Sequence, residues 1–372
     1  MLDYMGIINL NEREDNIKGL TGHRPLAAVP IAGRYRMIDF ALSNLVNAGV
    51  QNISIFTQNK YRSLLDHLGT GKAWDLDRKN DGLFIMNPMY DYYNLGIYRG
   101  DIENFKCHID YINFSKQNNV IITPSNMICN LDYREAIKYH NETGADITII
   151  YKKADNCTVD YQYCSTLEMD EYGRIERIDI NFGYENECNV SMDMYIMKKS
   201  LFLDIVNSCV STGYCDYFRE AVYKYLHKLK IFGYGFEGYL ACINSTYSYY
   251  KTSMQLLDMD ISRELFFKNG LIYTKVKDEP PTKYKENARI INSLVANGCT
   301  IDGLVENSIL FRSVKIKKGA VVKDSIIMQN CSIEEESRVV NAILDKSVRV
   351  TKGKQIIGNT DNPEVIEKKT VI

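Results

Sequence analysis

Four basic side chains, His23, Arg24, Arg34 and Arg36, lie within fourteen residues near the start of the chain. A local cluster of cations is the chemistry that holds an anion such as a phosphate group, because guanidinium groups donate paired N–H bonds to its oxygens. The same residue types also form solvated surfaces and structural ion pairs. The cluster therefore predicts either an anion site or a set of structural charges.

The charge balance of the whole chain makes any anion site a local one. Its 372 residues include 45 Lys plus Arg and 47 Asp plus Glu, so no global field attracts nucleic acid or an anionic membrane. The apolar runs all fall short of the ~20 residues that span a bilayer. The first residues also lack the basic and apolar pattern of a signal peptide. We expect a cytoplasmic protein with no membrane or nucleic-acid partner.

Ten cysteines are scattered along the chain at irregular spacings, and none forms a Cys-x-x-Cys pair. This usage is typical of reduced thiols in the cytosol, where free cysteines behave as small buried apolar residues. A disulfide framework or a zinc site would need paired spacings. We therefore expect reduced cysteines and no metal site built from them.

The first part of the chain alternates between buried strands and amphipathic helices, which favours a mostly parallel sheet covered by helices. An irregular stretch, residues 74–96, is predicted to be a long loop because it is rich in Asp, Asn and Tyr. The predicted strands include residues 4–10, 52–57, 119–123, 145–151 and 191–197, and the predicted helices include residues 36–49, 61–68, 102–114, 133–141 and 217–229.

The last part of the chain repeats with a step of 17 residues. Asn307, Asp324 and Asn341 each precede a small residue and an aliphatic pair, and small or aliphatic residues recur about six positions apart. This pattern is typical of hexapeptide coils stacked into a parallel β-helix. We predict a first domain over residues 1–260, a linker over 261–288 that contains two consecutive prolines, and a β-helix domain over 289–372.

Two strings in the first domain resemble a known enzyme family. Residues 24–30 (RPLAAVP) and 33–44 (GRYRMIDFALSN) are similar to bacterial glucose-1-phosphate adenylyltransferases, the ADP-glucose pyrophosphorylases of glycogen synthesis. Fragments at residues 98–100, 131–133 and 319–328 extend the resemblance over nearly the whole chain. It implies an α/β fold, with a Rossmann-like nucleotidyltransferase (GT-A-like) domain followed by a left-handed β-helix. It also implies a tetramer and chemistry on ATP and glucose 1-phosphate with Mg²⁺.

The positions that carry this chemistry in the family are substituted here. The lysine that the family aims at phosphate falls at Leu26, and its two metal-binding aspartates fall at Asn126 and at Cys242. The lysine that contacts the sugar phosphate falls at Asn181. Residues 9–16 stand where the family has a glycine-rich loop, and side chains there would obstruct the approach of a triphosphate. We assign no catalytic or metal-binding residue and expect no cofactor.

The chain therefore most resembles a non-catalytic companion in this family, one that pairs with a catalytic glucose-1-phosphate adenylyltransferase subunit. A heterotetramer with that subunit or a homo-oligomer is expected. In the family, positions near the basic cluster lie at or near an effector phosphate site, which predicts a pocket for a phosphorylated metabolite between the two domains. The candidate residues are His23, Arg24, Arg34, Arg36, Arg312 and Lys315.

Two alternatives remain open. The chain could be a working adenylyltransferase with a rebuilt site, in which Asp101, Glu103 or the carboxylates of residues 12–15 hold Mg²⁺. It could also be a hexapeptide-repeat acyltransferase that works through its β-helix. That interpretation lacks an obvious catalytic histidine, because no His follows His227 in the sequence.

Overall fold

The computed structural model describes residues 3–58, 60–88, 100–184 and 186–372. Its first domain is built on strands that run in chain order from β1 to β13. They are β1 (Tyr4–Asn9), β2 (Pro30–Ile31), β3 (Tyr35–Arg36), β4 (Asn52–Phe56), β5 (Gly82–Met86), β6 (Asn119–Thr123), β7 (Met127–Ile128), β8 (Ile147–Ala154), β9 (Ser165–Met169), β10 (Ile175–Ile180), β11 (Cys188–Lys198), β12 (Ile231–Gly235) and β13 (Ala241–Cys242).

Among the described residues, nine of these strands form one mixed sheet in the order β10-β9-β11-β6-β1-β4-β5, with β8 pairing to β11 and β12. The β6-β1-β4-β5 part is parallel, as the alternation of strands and helices predicted. Strand β11 runs antiparallel to β6 and β8 and so makes the sheet mixed. The buried residues of β1, Met5, Ile7 and Ile8, place this strand at the centre of the core.

The helices place their apolar sides in three core clusters, two of them against the main sheet and one shared with the second domain. Several begin at a polar residue that satisfies free backbone N–H groups, as Asp132 and Ser245 do. In the described residues no helix is long and apolar enough to cross a membrane. The helices are α1 (Lys18–Thr21), α2 (Met37–Asn47), α3 (Arg62–Leu68), α4 (Asp101–Cys107), α5 (Ile109–Phe114), α6 (Tyr133–Thr143), α7 (Lys199–Thr212), α8 (Phe218–Lys224), α9 (Thr246–Gln255) and α10 (Met259–Phe267).

Two secondary-structure predictions for this domain were wrong. Residues 82–86, placed in a long loop, form the edge strand β5, because β4 supplies the parallel backbone partners that the sequence does not show. The predicted helix over residues 102–114 is two helices, α4 and α5, which meet at His108. Residues 89–96 of the predicted loop and residues 98–99 of the family resemblance lie outside the described residues.

The prediction that all cysteines are reduced was wrong for one pair. Cys157 and Cys188 are joined by a disulfide although they lie 31 positions apart. Cys188 begins β11 beside the last residue of β8, and Cys157 lies three positions after that residue, so strand pairing brings the two sulfurs together. Irregular spacing in the sequence does not reveal a pairing that the sheet creates.

The second domain is a prism of stacked coils, as the 17-residue repeat predicted. Its strands pair in parallel with the next coil and form three five-stranded sheets, one per face. They are β14 (Lys283–Tyr284), β15 (Arg289–Ile291), β16 (Leu294–Val295), β17 (Thr300–Ile301), β18 (Leu304–Glu306), β19 (Ile309–Leu310), β20 (Lys315–Ile316), β21 (Val321–Lys323), β22 (Ile326–Ile327), β23 (Ser332–Ile333), β24 (Arg338–Val340), β25 (Ala342–Leu344), β26 (Arg349–Val350), β27 (Gln355–Ile357) and β28 (Glu364–Ile366).

The repeating polar residues form the corners of the prism. Asn307, Asp324 and Asn341 have φ of 45°, 45° and 49°, the left-handed conformation that Asn and Asp tolerate better than most residues. Beside them runs a ladder in which the backbone N–H of Ser325 donates to Ser308 Oγ at 3.1 Å, and that of Ala342 donates to Ser325 Oγ at 3.2 Å. The repeat thus encodes both the turn and the bonds between coils.

The two domains pack directly against each other through a shared apolar cluster. The β2–β3 hairpin turns at Gly33, where φ is +77° and an added Cβ would lie 2.6 Å from Leu294 of the prism. Tyr250 of α9 donates its hydroxyl to the backbone oxygen of Asp324 at 2.7 Å. Only glycine permits the close approach at residue 33, so the hairpin is held against the β-helix.

Candidate functional site

The segment that replaces the family's glycine-rich loop, residues 9–16, is called the cleft loop here, and its own side chains tie it down. Glu12 crosses to the loop after β6, where its Oε1 accepts bonds from the backbone N–H and the hydroxyl of Ser125, both at 2.6 Å. Glu14 accepts a bond from the backbone N–H of Leu26 at 2.8 Å. Both carboxylates therefore use the donors of the surrounding protein.

Asp101, at the start of α4, fixes the other end of the cleft loop. Its carboxylate is fully buried and accepts bonds from the side-chain amides of Asn9 and Asn11 at 2.6 and 2.5 Å. It also accepts the backbone N–H of Phe218 at 2.7 Å. Burial raises the pKa of Asp101 to about 6, although the hydrogen bonds from these donors lower it. The contacts leave Asp101 as a structural anchor, not as a ligand open to solvent.

The two positions that hold metal-binding aspartates in the family contact each other through uncharged groups. The Asn126 amide lies 3.7 Å from the Cys242 sulfur, and Cys242 lies 3.2 Å from the sulfur of Cys164. The contact with Cys164 and burial raise the pKa of the Cys242 thiol, so the thiol stays protonated. Neither group supplies the anionic oxygen that a hard cation prefers.

The two positions that hold phosphate-binding lysines in the family have structural roles here: Leu26 packs in the core, and Asn181 stabilises a turn. Leu26 is 1% exposed and belongs to the apolar cluster between the domains. The Asn181 amide donates to the backbone oxygens of Cys157 and Tyr161 at 2.7 and 2.9 Å, and its oxygen accepts the N–H of Gly183 at 2.8 Å. Both side chains are committed to the fold.

A magnesium ion, which the family uses, does not fit the residues that are present. Within residues 3–58, 60–88, 100–184 and 186–372, no group of three or more His, Cys, Asp or Glu side chains converges as a metal site. Four of the five carboxylates of the alternative enzyme interpretation, all except Glu103, are occupied: Asp101, Glu12 and Glu14 accept protein hydrogen bonds, and Asp15 pairs with Lys18 at 2.9 Å on the surface. We derive no catalytic step through a metal here.

A second site, called the basic cavity here, lies where the hairpin, the linker and the prism meet. The empty space among its lining residues is about 350 Å³ when the open solvent at its mouth is counted, and the described residues give it six cationic side chains and no carboxylate. A concentration of like charges around one space favours an anion in it. The lining residues are Pro30, Gly33, Arg34, Tyr35, Arg36, His67, Lys275, Lys277, Phe311, Arg312, Gln329 and Lys346.

Arg36 is held rigidly at the floor of this cavity. Its guanidinium donates to the backbone oxygen of Ser63 at 2.6 Å, and its backbone N–H donates to Asp39 at 3.0 Å. Asp39 in turn lies 2.6 Å from the ring of His67. Burial lowers the pKa of Arg36 to about 10 despite the nearby carboxylate of Asp39. Arg36 thus remains charged at neutral pH in a site where charge is costly.

Besides Phe311, the prism contributes one column of polar side chains to the cavity. Arg312, Gln329 and Lys346 lie 17 positions apart, so they occupy the same place in three successive coils. Backbone bonds hold the column in register: the N–H groups of the residues after Gln329 and Lys346 donate to the oxygens of Arg312 and Gln329 at 3.1 and 3.0 Å. Burial and the charge of Arg34 lower the pKa of Arg312.

The structure brings three of the six predicted anion-site residues together and places the other three elsewhere. Arg34, Arg36 and Arg312 line the basic cavity. Arg24 is buried and pairs with Asp345 of the prism at 2.7 Å, so its charge is neutralised within the protein. His23 and Lys315 are exposed and lie outside the lining. Sequence proximity did not show that Arg24 points towards the prism.

Three cations of the cavity were missed, and two kinds of signal could have found them. Lys346 follows from Arg312 by two steps of the 17-residue repeat. Lys275 and Lys277 alternate around Val276 in an extended segment, so their side chains share one side of it. The cavity therefore combines a position of the 17-residue repeat with two lysines of the predicted linker.

Comparisons with known proteins agree with this architecture. Residues 16–213 match the nucleotidyl transferase family, and residues 280–365 match the GlmU-like C-terminal hexapeptide family. The chain is 37% identical to glycogen biosynthesis protein GlgD of Bacillus subtilis (strain 168) over 367 residues, which are 99% of this chain and 96% of that protein. It is 40% identical to GlgD of Geobacillus stearothermophilus over 319 residues, 86% and 82% of the two chains.

The similarity extends to a named enzyme. Glucose-1-phosphate adenylyltransferase of Thermomicrobium roseum is 31% identical over 369 residues, which are 97% of this chain and 85% of the enzyme. The family resemblance read from the sequence is thus confirmed over the full length. The chain belongs to the nucleotidyl transferase family, in the group that contains the GlgD proteins and the glucose-1-phosphate adenylyltransferases.

Proposed function

We propose that this protein is a regulatory, catalytically silent subunit of ADP-glucose pyrophosphorylase in glycogen biosynthesis, and that it modulates a catalytic glucose-1-phosphate adenylyltransferase subunit. The names of its relatives support the pathway. The observation that carries the loss of catalysis is the cleft loop. Its carboxylates bond to Ser125 and Leu26, where the nucleotide phosphates and their cations would have to be placed.

Several substitutions act together against phosphoryl chemistry. Nucleotidyl transfer depends on positioned cations and metal ions that neutralise charge on the phosphates. Here the lysine position is the buried Leu26, and the two metal positions are Asn126 and the protonated thiol of Cys242. Loss of one member of such a set can cost several powers of ten in rate. No cofactor or metal is expected to be required.

The proposed regulatory site is the basic cavity. Arg34, Arg36 and Arg312 come from the two domains, so an anion between them would contact both at once. A phosphorylated metabolite is the ligand class that suits such guanidinium groups. Binding would stabilise one arrangement of the domains and pass that preference to a bound catalytic subunit. The partner would be that subunit in a hetero-oligomer.

Kinetic reconstitution tests the role. The purified chain, incubated alone with ATP, glucose 1-phosphate and Mg²⁺, is expected to release no pyrophosphate above background. Co-expressed with the catalytic subunit, it is expected to form a complex whose rate, substrate affinity or effector response differs from that of the catalytic subunit alone. Clear turnover by the chain alone would refute catalytic silence, and unchanged kinetics in a verified complex would refute the regulatory role.

A sugar-phosphate binding assay tests the cavity separately. Arg36→Ala removes a fixed guanidinium from the floor, and we expect a loss of at least tenfold in affinity, since a charged hydrogen bond contributes about 1.5–3 kcal/mol. Arg177→Ala is the matched control, because Arg177 is an exposed arginine of β10 that pairs with Glu168 far from the lining residues. Equal affinity in the wild type and Arg36→Ala would remove Arg36 from the site.

A further inference from the structure

Lys346 differs from the other cations of the basic cavity. The residue is only 9% exposed, and among the described residues its ammonium group has no hydrogen-bond or ion-pair partner. The neighbouring carboxylate, Asp345, is committed to Arg24 at 2.7 Å. Buried lysines are almost always paired when charged. An unpaired lysine that reaches into a cavity therefore points to a ligand or to a neutral amine.

The charges that face Lys346 come from every element around it. Arg36 reaches it from the first domain, Arg24 from the segment before the hairpin, and Lys277 from the linker, while Asp345 precedes it in the prism. Burial, with the repulsion from Arg36 and Arg24, lowers the pKa of Lys346 to about 7, and Asp345 offsets this only in part. At pH 8 most molecules thus carry a neutral amine at this position.

We propose that Lys346 is the proton-accepting ligand of the basic cavity: it is mostly a neutral amine in the free protein and becomes an ammonium when a multiply charged anion binds. The inference rests on the proposed effector role of the cavity and deepens it. An anion placed among Arg34, Arg36 and Arg312 supplies a negative charge near the amine of Lys346. That charge stabilises the protonated, ammonium form. Binding and proton uptake are then linked, and affinity falls as pH rises.

The histidine of the lining does not reproduce this linkage. His67 lies 2.6 Å from Asp39, yet burial lowers its pKa below the ordinary value of 6.5. It is therefore neutral throughout the range from pH 7.5 to 9. Arg36 stays protonated over the same range, since its pKa is about 10. Burial and the charge of Arg312 also lower the pKa of Lys277, a second lysine of the lining, so the Lys346→Arg variant below is what assigns the proton uptake to Lys346.

Sulfate is the probe, because it remains a dianion at these pH values and takes up no proton itself. The full-length protein is titrated with sodium sulfate at constant ionic strength, and the proton uptake is read with an indicator dye in weakly buffered solution. At pH 8 a group of pKa about 7 is roughly one-tenth protonated, so we expect uptake of up to about 0.9 proton per sulfate bound. The apparent Kd is expected to rise by up to about tenfold per pH unit above pH 7.5.

Two variants locate the effect. Lys346→Arg keeps a permanent charge and is expected to bind sulfate with little proton uptake and a nearly flat pH dependence. Lys315→Gln, an exposed lysine of the same domain outside the cavity, is the matched control and is expected to behave as the wild type. The wild-type pH series needs no variant, so the proposal remains testable if Lys346→Arg does not fold.

The outcomes separate this inference from the function on which it rests. Saturable sulfate binding without proton uptake, or equal uptake in Lys346→Arg and the wild type, would overturn the role of Lys346 and leave the anion cavity standing. Absence of saturable sulfate binding at pH 6.5, where Lys346 is charged in the free protein, would overturn the effector cavity and this inference together.

Discussion

The ion pair between Arg24 and Asp345 is predicted to be a strong link between the two domains. The guanidinium and carboxylate lie 2.7 Å apart, and their side chains are 4% and 5% exposed. Two unit charges about 4 Å apart attract by about 4 kcal/mol at an effective dielectric constant of about 20. Removal of one partner leaves the other buried without its counter-charge, which typically costs about 3–5 kcal/mol.

A double-mutant cycle measures this link. Arg24→Met and Asp345→Leu are each expected to lower the free energy of unfolding by about 4 kcal/mol, whereas the double variant should recover much of the loss because no unpaired charge remains. With an unfolding entropy of about 2.1 cal/mol/K per residue, 372 residues give a fall in Tm of about 5 °C for each single variant if unfolding is cooperative.

The exposed pair of Arg177 and Glu168 supplies the control for the cycle. Their side chains are 63% and 60% exposed, so Arg177→Met is expected to cost less than about 1 kcal/mol. Single variants of the buried pair that cost no more than this control would refute the reasoning. A double variant that is as unstable as the sum of the two single variants would also refute it, because it would show no coupling.

Three further predictions concern the fold. Because the pKa of Asp101 is raised from its ordinary 3.8 to about 6, wild-type stability should fall by about 3 kcal/mol relative to Asp101→Asn as pH rises from about 4 to above 6, and parallel urea-denaturation profiles would contradict this. Ser325→Ala leaves the backbone N–H of Ala342 without its acceptor and should cost about 1–3 kcal/mol by urea denaturation, a prediction that an unchanged midpoint would refute. Reduction of the Cys157–Cys188 disulfide, which closes a loop of 31 residues, should lower stability by about 3–4 kcal/mol, and equal Tm values with and without reductant would contradict that.

The sequence predicted the parts of the fold that repeat. The 17-residue step identified the prism, and the structure adds that Asn307, Asp324 and Asn341 occupy left-handed corners. The alternation of strands and helices predicted the parallel part of the main sheet. Strand β5 was missed because its apolar run, residues 83–86, is only four residues long and lies inside a stretch rich in Asp, Asn and Tyr; pairing with β4 makes it a strand.

The candidate sites were predicted less completely, for a physical reason. Residue identity showed that Leu26 and Asn126 cannot perform the family's chemistry, but it did not show that Glu12 fills the cleft by bonding to Ser125. Arg24 was grouped with Arg36 because they are close in sequence. Packing between the first domain and the prism decides where the side chains of Arg24 and Arg36 point. No local sequence pattern encodes that packing.

The central claim is that this chain contributes no catalytic site. The most direct test uses a complex of this chain with a catalytic glucose-1-phosphate adenylyltransferase subunit whose own metal-binding aspartates have been replaced by asparagine. The assay measures pyrophosphate release from ATP and glucose 1-phosphate with Mg²⁺, after the mass of the complex has been verified. Catalytic silence predicts no release above background, whereas turnover that persists in this complex would contradict the claim.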